Sequence, residues 1–134
     1  MAKRIEAIVP ESMPSAIAAV NTYSYGVRAG DTLHISGMVS FAPDGSIVGE
    51  GDIEVQVEQT FTNMQRVVEA AGGTMDDIVQ TTTYLVNTAD APVVSAARGR
   101  WFTGPVKPTH TVVGVAALGR PVFLVEIEAT AYLG

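Results

Sequence analysis

The chain has 134 residues, 47% of them hydrophobic and 16% charged, and its fourteen carboxylates against eight Lys or Arg give a net charge of −6 and a pI near 4.7. That balance excludes the basic footprint that a nucleic-acid backbone or an anionic membrane surface requires. The absence of cysteine excludes disulfides, thiolate nucleophiles and thiolate metal sites.

A single domain spanning residues 1–134 is expected at this length, large enough for a real core. The low charge density points to a surface partly covered by other copies of the chain. The first nineteen residues are broken by Glu6, Pro10, Glu11 and Pro14, so they do not read as a signal peptide. No run approaches a membrane span, and a cytoplasmic setting is the default expectation.

In chain order, Ile5–Val9 reads as a short extended start. PESMPSAIAAVN, residues 10–21, reads as an irregular loop because Pro10 and Pro14 oppose regular pairing. TLHISGMV at 32–39 alternates as a strand, with Leu33, Ile35, Gly37 and Val39 on one face and Thr32, His34, Ser36 and Met38 on the other. PDGS at 43–46 is a turn, and a short strand at Ile47 is expected to complete a hairpin.

Residues 52–71 carry the clearest helical pattern. Ile53, Val57, Phe61, Met64, Val68 and Ala71 form one apolar stripe, Asp52 suits the N-cap, and Gly72–Gly73 suits the stop. TMDD at 74–77 predicts a capped turn, and IVQTTTYLV at 78–86 a strand. APVVSAARGRWF at 91–102 predicts a second helix with Pro92 in its first turn and Val94, Ala97 and Trp101 inward. Strands at 109–115 and 122–133 follow. This order implies an α+β fold, with a mixed or antiparallel sheet covered on one side by two helices.

The last strand shows where polar chemistry can lie. Phe123, Val125, Ile127, Ala129 and Ala131 share an apolar face. Val122, Leu124, Glu126, Glu128, Thr130 and Tyr132 share a mixed one, suited to a polar cleft against a neighbour. Glu126 resists burial unless it is paired or functional, and an interface salt bridge explains it as well as catalysis does. His110 is either a strand-end histidine bonded within the chain or a substrate contact, whereas His34 reads as structural. Tyr23 and Tyr25 bring hydroxyls to a loop–strand junction; Trp101 and Phe102 read as core anchors. No phosphate-binding glycine loop, no HExxH pair and no GxSxG elbow is present, so no cofactor or metal is implied.

SYGVRAGDTLHISG, the helix ending VVEAAGG, MDDIVQTTTYLV and the tail VEIEATAYL together resemble the Rid family of enamine/imine deaminases, also known as the YjgF group. The resemblance covers roughly residues 20–133. It implies a chorismate mutase-like fold, a homotrimer whose sheets form a central β-barrel, and clefts between subunits. It also implies a small organic acid bearing an enamine or imine as substrate, with no cofactor, nucleic acid or membrane partner.

By the same resemblance, Glu126 matches the acid that orients water, Tyr23 the site tyrosine and Ser36 the serine before glycine. His110, in Pro108-Thr109-His110, stands where the family's deaminating branch has its carboxylate-binding arginine. Ser95 stands in place of an asparagine, and Val112 in place of a cysteine. An imidazole offers one N–H where guanidinium offers a bidentate fork, so a substrate other than 2-aminoacrylate is expected. Further expectations are a 2-aminomuconate deaminase-like or other hydrolase or tautomerase in aromatic catabolism, or a non-catalytic trimer that binds small acids or protein partners.

Overall fold

A computed structural model describes residues 4–14 and 22–134. Strands β1 (Ile5–Ile8), β2 (Gly26–Ala29) and β3 (Thr32–Met38) precede helix α1 (Ile53–Ala70). Strand β4 (Ile78–Leu85), helix α2 (Ala91–Trp101), β5 (Thr109–Gly114) and β6 (Val125–Tyr132) complete the order. The six strands form one mixed sheet in the order β1-β2-β3-β6-β4-β5. Only β4 and β5 run parallel, joined by the crossover that contains α2.

Sequence pattern dictates most of this architecture. Asp52 accepts from the Val55 N–H at 3.2 Å to start α1, and Gly72, at φ 89°, takes the left-handed position just beyond its end. Val57, Phe61, Met64 and Val68 are fully buried against the sheet, as their spacing predicts. Opposite them lie Leu33, Ile35, Leu85, Val125, Ile127, Ala129 and Ala131. Helix α2 contributes Val94 and Ala97, while Trp101 stacks on Phe61 at 5.9 Å. The turn at 74–77 forms as expected, with the Thr74 N–H donating to Asp77 Oδ2 at 2.8 Å. No helix among the described residues is long and apolar enough to cross a membrane.

Three expectations are corrected. The hairpin at Ile47 is a single bridge from Phe41 to Ile47, flanked by the Ala42 N–H on the Ser46 carbonyl and the Val48 N–H on the Ser40 carbonyl; Gly49, at φ 75°, leaves the extended conformation and ends it. The hairpin partner of β3 is instead β2, whose four residues GVRA are too short to show alternation. The sheet is also open: β1 and β5 end the strand order and do not pair with each other, so this chain forms no closed barrel and the structure holds no trimer. A half-apolar second face implies that something covers it; it does not dictate closure. Of the segment expected to be irregular, residues 15–21 lie outside those described; before them, the Met13 N–H closes a turn onto the Pro10 carbonyl.

Candidate functional site

The alternation expected in β3 fails at one place, and that failure builds the site. Ile35 pairs with Ala129 and Met38 with Ile127, so β3 uses three residues where β6 uses two. This bulge turns Met38 into the core, where Val39 was expected, and brings Ser36 and Gly37 beside β6. A Cβ on Gly37 would lie 2.5 Å from Glu126 Oε2. Only a glycine lets the carboxylate settle there.

Glu126 is half-buried on the face away from the helices and has no hydrogen-bond or ion-pair partner among the described residues. Burial raises its pKa above the ordinary glutamate range, and the nearby Glu128 adds to the effect. Glu128 itself accepts from the Tyr84 hydroxyl at 2.7 Å.

Tyr23 and Tyr25 divide their work. Tyr25 is buried, donates its hydroxyl to the Pro14 carbonyl and has its phenol pushed up to about 12, by burial first and Tyr23 second. Tyr23 packs edge-on against it at 5.8 Å and stays 41% exposed. Its phenol is also raised, by burial and then by Glu126, which puts the two groups within electrostatic reach. The Ser36 hydroxyl donates to the Ser24 carbonyl at 2.6 Å, and its N–H to Tyr25. Its proton is therefore committed, and its lone pairs can accept from a ligand.

Tyr23, Ser36, Gly37 and Glu126 line one cleft of about 600 Å³, with Val39, Phe41 and Phe123 as its apolar part. Arg120 also lines it, a residue that sequence reasoning missed. The Phe123 N–H donates to the Arg120 carbonyl at 3.1 Å, closing a turn with Pro121 in its second position. The Gly119–Arg120–Pro121 context just before the final strand was the available signal.

Two buried amides of α1 fasten the walls. Gln56 Nε2 donates to the Gly49 and Val122 carbonyls at 3.1 and 2.8 Å, while its Oε1 accepts from the Leu124 N–H at 2.9 Å. Asn63 Nδ2 donates to Val39 and Phe41. Nothing in the sequence pattern marks these as more than polar residues on a helix.

The other expected site residues lie elsewhere in the chain. His110 registers with Thr81 and Val112 with Thr83, both buried beneath the helices, so His110 and Val112 face the helical side. Glu126 registers with Tyr84 and faces the opposite side, with β4 between its strand and that of His110. The His110 imidazole is held below its usual pKa by burial and then by Arg98. Ser95 is exposed on α2. His34 is exposed on β3, level with Val27 and Thr130.

One chain thus brings together Tyr23, Ser36 and Glu126 and does not bring His110, Val112 or Ser95 to them. A separate groove of about 420 Å³ lies by the β1–β2 edge between Arg4, Glu6, Arg28 and Asp31, and none of the expected site residues lines it. Among the described residues, no three His, Asp or Glu side chains are grouped to hold a metal ion.

Comparison with known proteins bears on the family and the fold. A family model described as Endoribonuclease L-PSP matches residues 13–133. A RutC family protein of Pyrococcus horikoshii is 34% identical over 127 residues, covering 95% of this chain and 97% of its own. A 2-iminobutanoate/2-iminopropanoate deaminase of Dermatophagoides farinae is 34% identical over 118 residues, covering 88% and 91%. Among solved structures, a conserved Rid-family protein of Yersinia pestis superposes with a TM-score of 0.88 at 34% identity, over 96% of this chain and 99% of that one. The bulged strand, the two-helix layer and these matches over nearly the whole length lead to one conclusion: the chain belongs to the Rid family, which includes the YjgF and RutC proteins.

Proposed function

We propose that this protein hydrolyses a small enamine, through its imine tautomer, to a carbonyl compound and ammonia. The single observation that carries the proposal is Glu126, a half-buried carboxylate with no partner among the described residues, facing a cleft large enough for an organic acid and a water molecule. The similarity to a 2-iminobutanoate/2-iminopropanoate deaminase supports the same chemistry.

Protonation of the enamine carbon yields an iminium. Glu126 accepts a proton from water as its oxygen bonds to the iminium carbon and the C=N π pair moves to nitrogen. The proton then passes to nitrogen, the C–N bond breaks, and ammonia leaves with the bonding pair. The hydroxyl passes its proton to Glu126 as the carbonyl closes, which restores the proton taken up by the enamine carbon. Water is the only co-reactant, so the balance needs no cofactor. A carboxyl raised above its ordinary pKa suits a group that takes a proton and gives it back. Tyr23 positions the substrate or donates a proton, and Ser36 accepts a hydrogen bond from it.

In this reading His110 reaches the cleft from another copy of the chain, where it binds a carboxylate or shuttles a proton. The exposed β5 strand and the exposed Val79, Val112, Val113 and Tyr132 support such self-association. With histidine in the arginine's place, the substrate is an acid other than 2-aminoacrylate, and a cytoplasmic setting belongs to the same proposal. A polyanion such as RNA gains no support from a cleft in which Arg120 is the one basic lining residue among those described.

The test is ammonia release from imines generated enzymatically from a panel of amino acids, with 2-aminomuconate included. Hydrolysis at least tenfold above the uncatalysed rate, lost in Glu126→Gln, is expected. A wild-type rate equal to background on the whole panel rejects the proposal.

A further inference from the structure

An organic acid bound beside Glu126 needs a cation, and His110 of the same chain lies on the other face of the sheet. We propose that Arg120 binds the substrate carboxylate, so that the anion anchor and Glu126 come from one chain and, of the two roles open to His110, proton shuttling is the one left. For the chemistry this rests on the imine-hydrolysis reading; for the binding of an organic anion it does not.

Among the described residues, Arg120 is the only basic one lining the Glu126 cleft. Its guanidinium is free to take a ligand, whereas the other arginines near packed elements are already occupied. Arg28 donates to the Gly30 and Ala71 carbonyls, Arg66 to Asn63, Arg98 to Thr81 and Pro108, and Arg100 to Glu58. Arg120 has no hydrogen-bond or ion-pair partner among the described residues.

Its backbone is nonetheless fixed. The turn from Arg120 to Phe123 is closed by a hydrogen bond, Pro121 restricts φ inside it, and Phe123 is buried. Gln56 then grips Val122 and Leu124 on either side of that phenylalanine. A free guanidinium on a fixed turn is a preorganised fork for a planar carboxylate. Val39, Phe41 and Phe123 line the same cleft, so part of the wall beside such a pair is apolar.

Arg120 and Glu126 do not neutralise each other. No ion pair joins them, and the Glu126 pKa moves up, the opposite of what a close guanidinium imposes. The cleft therefore offers a cation for the acid group and a separate carboxylate for water, in a lining that also includes Val39, Phe41 and Phe123. This fits a 2-imino or 2-enamino monocarboxylate longer than 2-aminoacrylate.

Isothermal titration with 2-oxobutanoate, a product-like acid, tests the assignment together with steady-state kinetics. Arg120→Ala is expected to weaken 2-oxobutanoate at least tenfold and Arg120→Lys to restore part of the loss, while binding of the uncharged 2-oxobutanamide stays within twofold. On a turned-over imino acid, Arg120→Ala raises KM about tenfold with kcat within threefold, and Glu126→Gln does the reverse. Binding of 2-oxobutanoate unchanged in Arg120→Ala overturns the proposal. So does an equal loss for acid and amide, or a wild-type protein that does not bind the acid. Arg120-dependent binding without any imine turnover would instead remove the hydrolysis reading and leave the anion site standing.

Discussion

The two faces of the sheet at its β6-β4-β5 end treat their ionisable groups in opposite ways. On the open face, Glu126 and Glu128 crowd together, and burial with like charge drives Glu126 toward its protonated form. On the helical face, Arg98 reaches Thr81 and the Pro108 carbonyl, and its charge with burial drives His110 toward its neutral form. Each face lowers the charge of its own titrating group, one by suppressing an anion and the other by suppressing a cation. The acid and the histidine are thus set up separately, by different elements, within one chain.

The strongest way to break this comparison is to remove the acid alone. Glu126→Gln is expected to lower kcat on a confirmed imine by roughly 10²- to 10⁴-fold, with the fold kept by circular dichroism. Unchanged kcat would mean that the open face carries no catalysis. Gly37→Ala sharpens the point without touching the acid. The new methyl meets the mobile end of Glu126, so the fold should survive while the carboxylate moves and kcat falls about tenfold. A variant with full activity would show that the bulge does not set the geometry of the acid.

Gln56→Leu strips partners from the Val122 and Gly49 carbonyls and the Leu124 N–H. Urea denaturation should show a loss of about 1–3 kcal/mol, the cost of leaving buried polar groups unpaired. A neutral result would mean that water or the loop itself replaces the amide.

The smallest effects lie in pH dependence, and they have opposite signs on the two faces. Because the folded pKa of Glu126 is raised, its contribution to stability is present below its unfolded pKa and lost as pH rises through the folded one. Relative to Glu126→Gln, the wild type should therefore lose Tm across that window. Because the folded pKa of His110 is lowered, its contribution is present above its unfolded pKa and lost as pH falls through the folded value. Relative to His110→Ala, the wild type should lose Tm as the solution is acidified. Parallel slopes for the two would erase the distinction between the faces. In turnover, the acid limb of kcat/KM should sit above the ordinary glutamate range.

Much of this architecture was legible because it rests on periodicity. The α1 stripe, the caps at Asp52 and Gly72 and the two faces of β6 all follow from spacing that burial enforces. The bulge in β3 was not legible, because one added residue leaves the composition of HISGM unchanged while it flips which side chains face the core. Gln56 and Asn63 were hidden for a related reason: a buried polar side chain on a helix differs from an exposed one only through partners distant in sequence. Arg120 was passed over because the loop between β5 and β6 has no period, and its position depends on a turn and on Gln56. The grouping of Tyr23, Ser36 and Glu126 came from family resemblance, since spacing alone does not place residues 23, 36 and 126 together.

Gln56 sits in the first turn of α1, where a helix frays most readily, yet it ties the loop at Gly49 to the approach into β6. Warming should therefore slacken both banks of the cleft at once, before the sheet itself melts. Affinity for a small acid would then fade at temperatures where the far-ultraviolet spectrum still looks native. A single hydrogen-bonded amide would set the working temperature of the protein below its melting point.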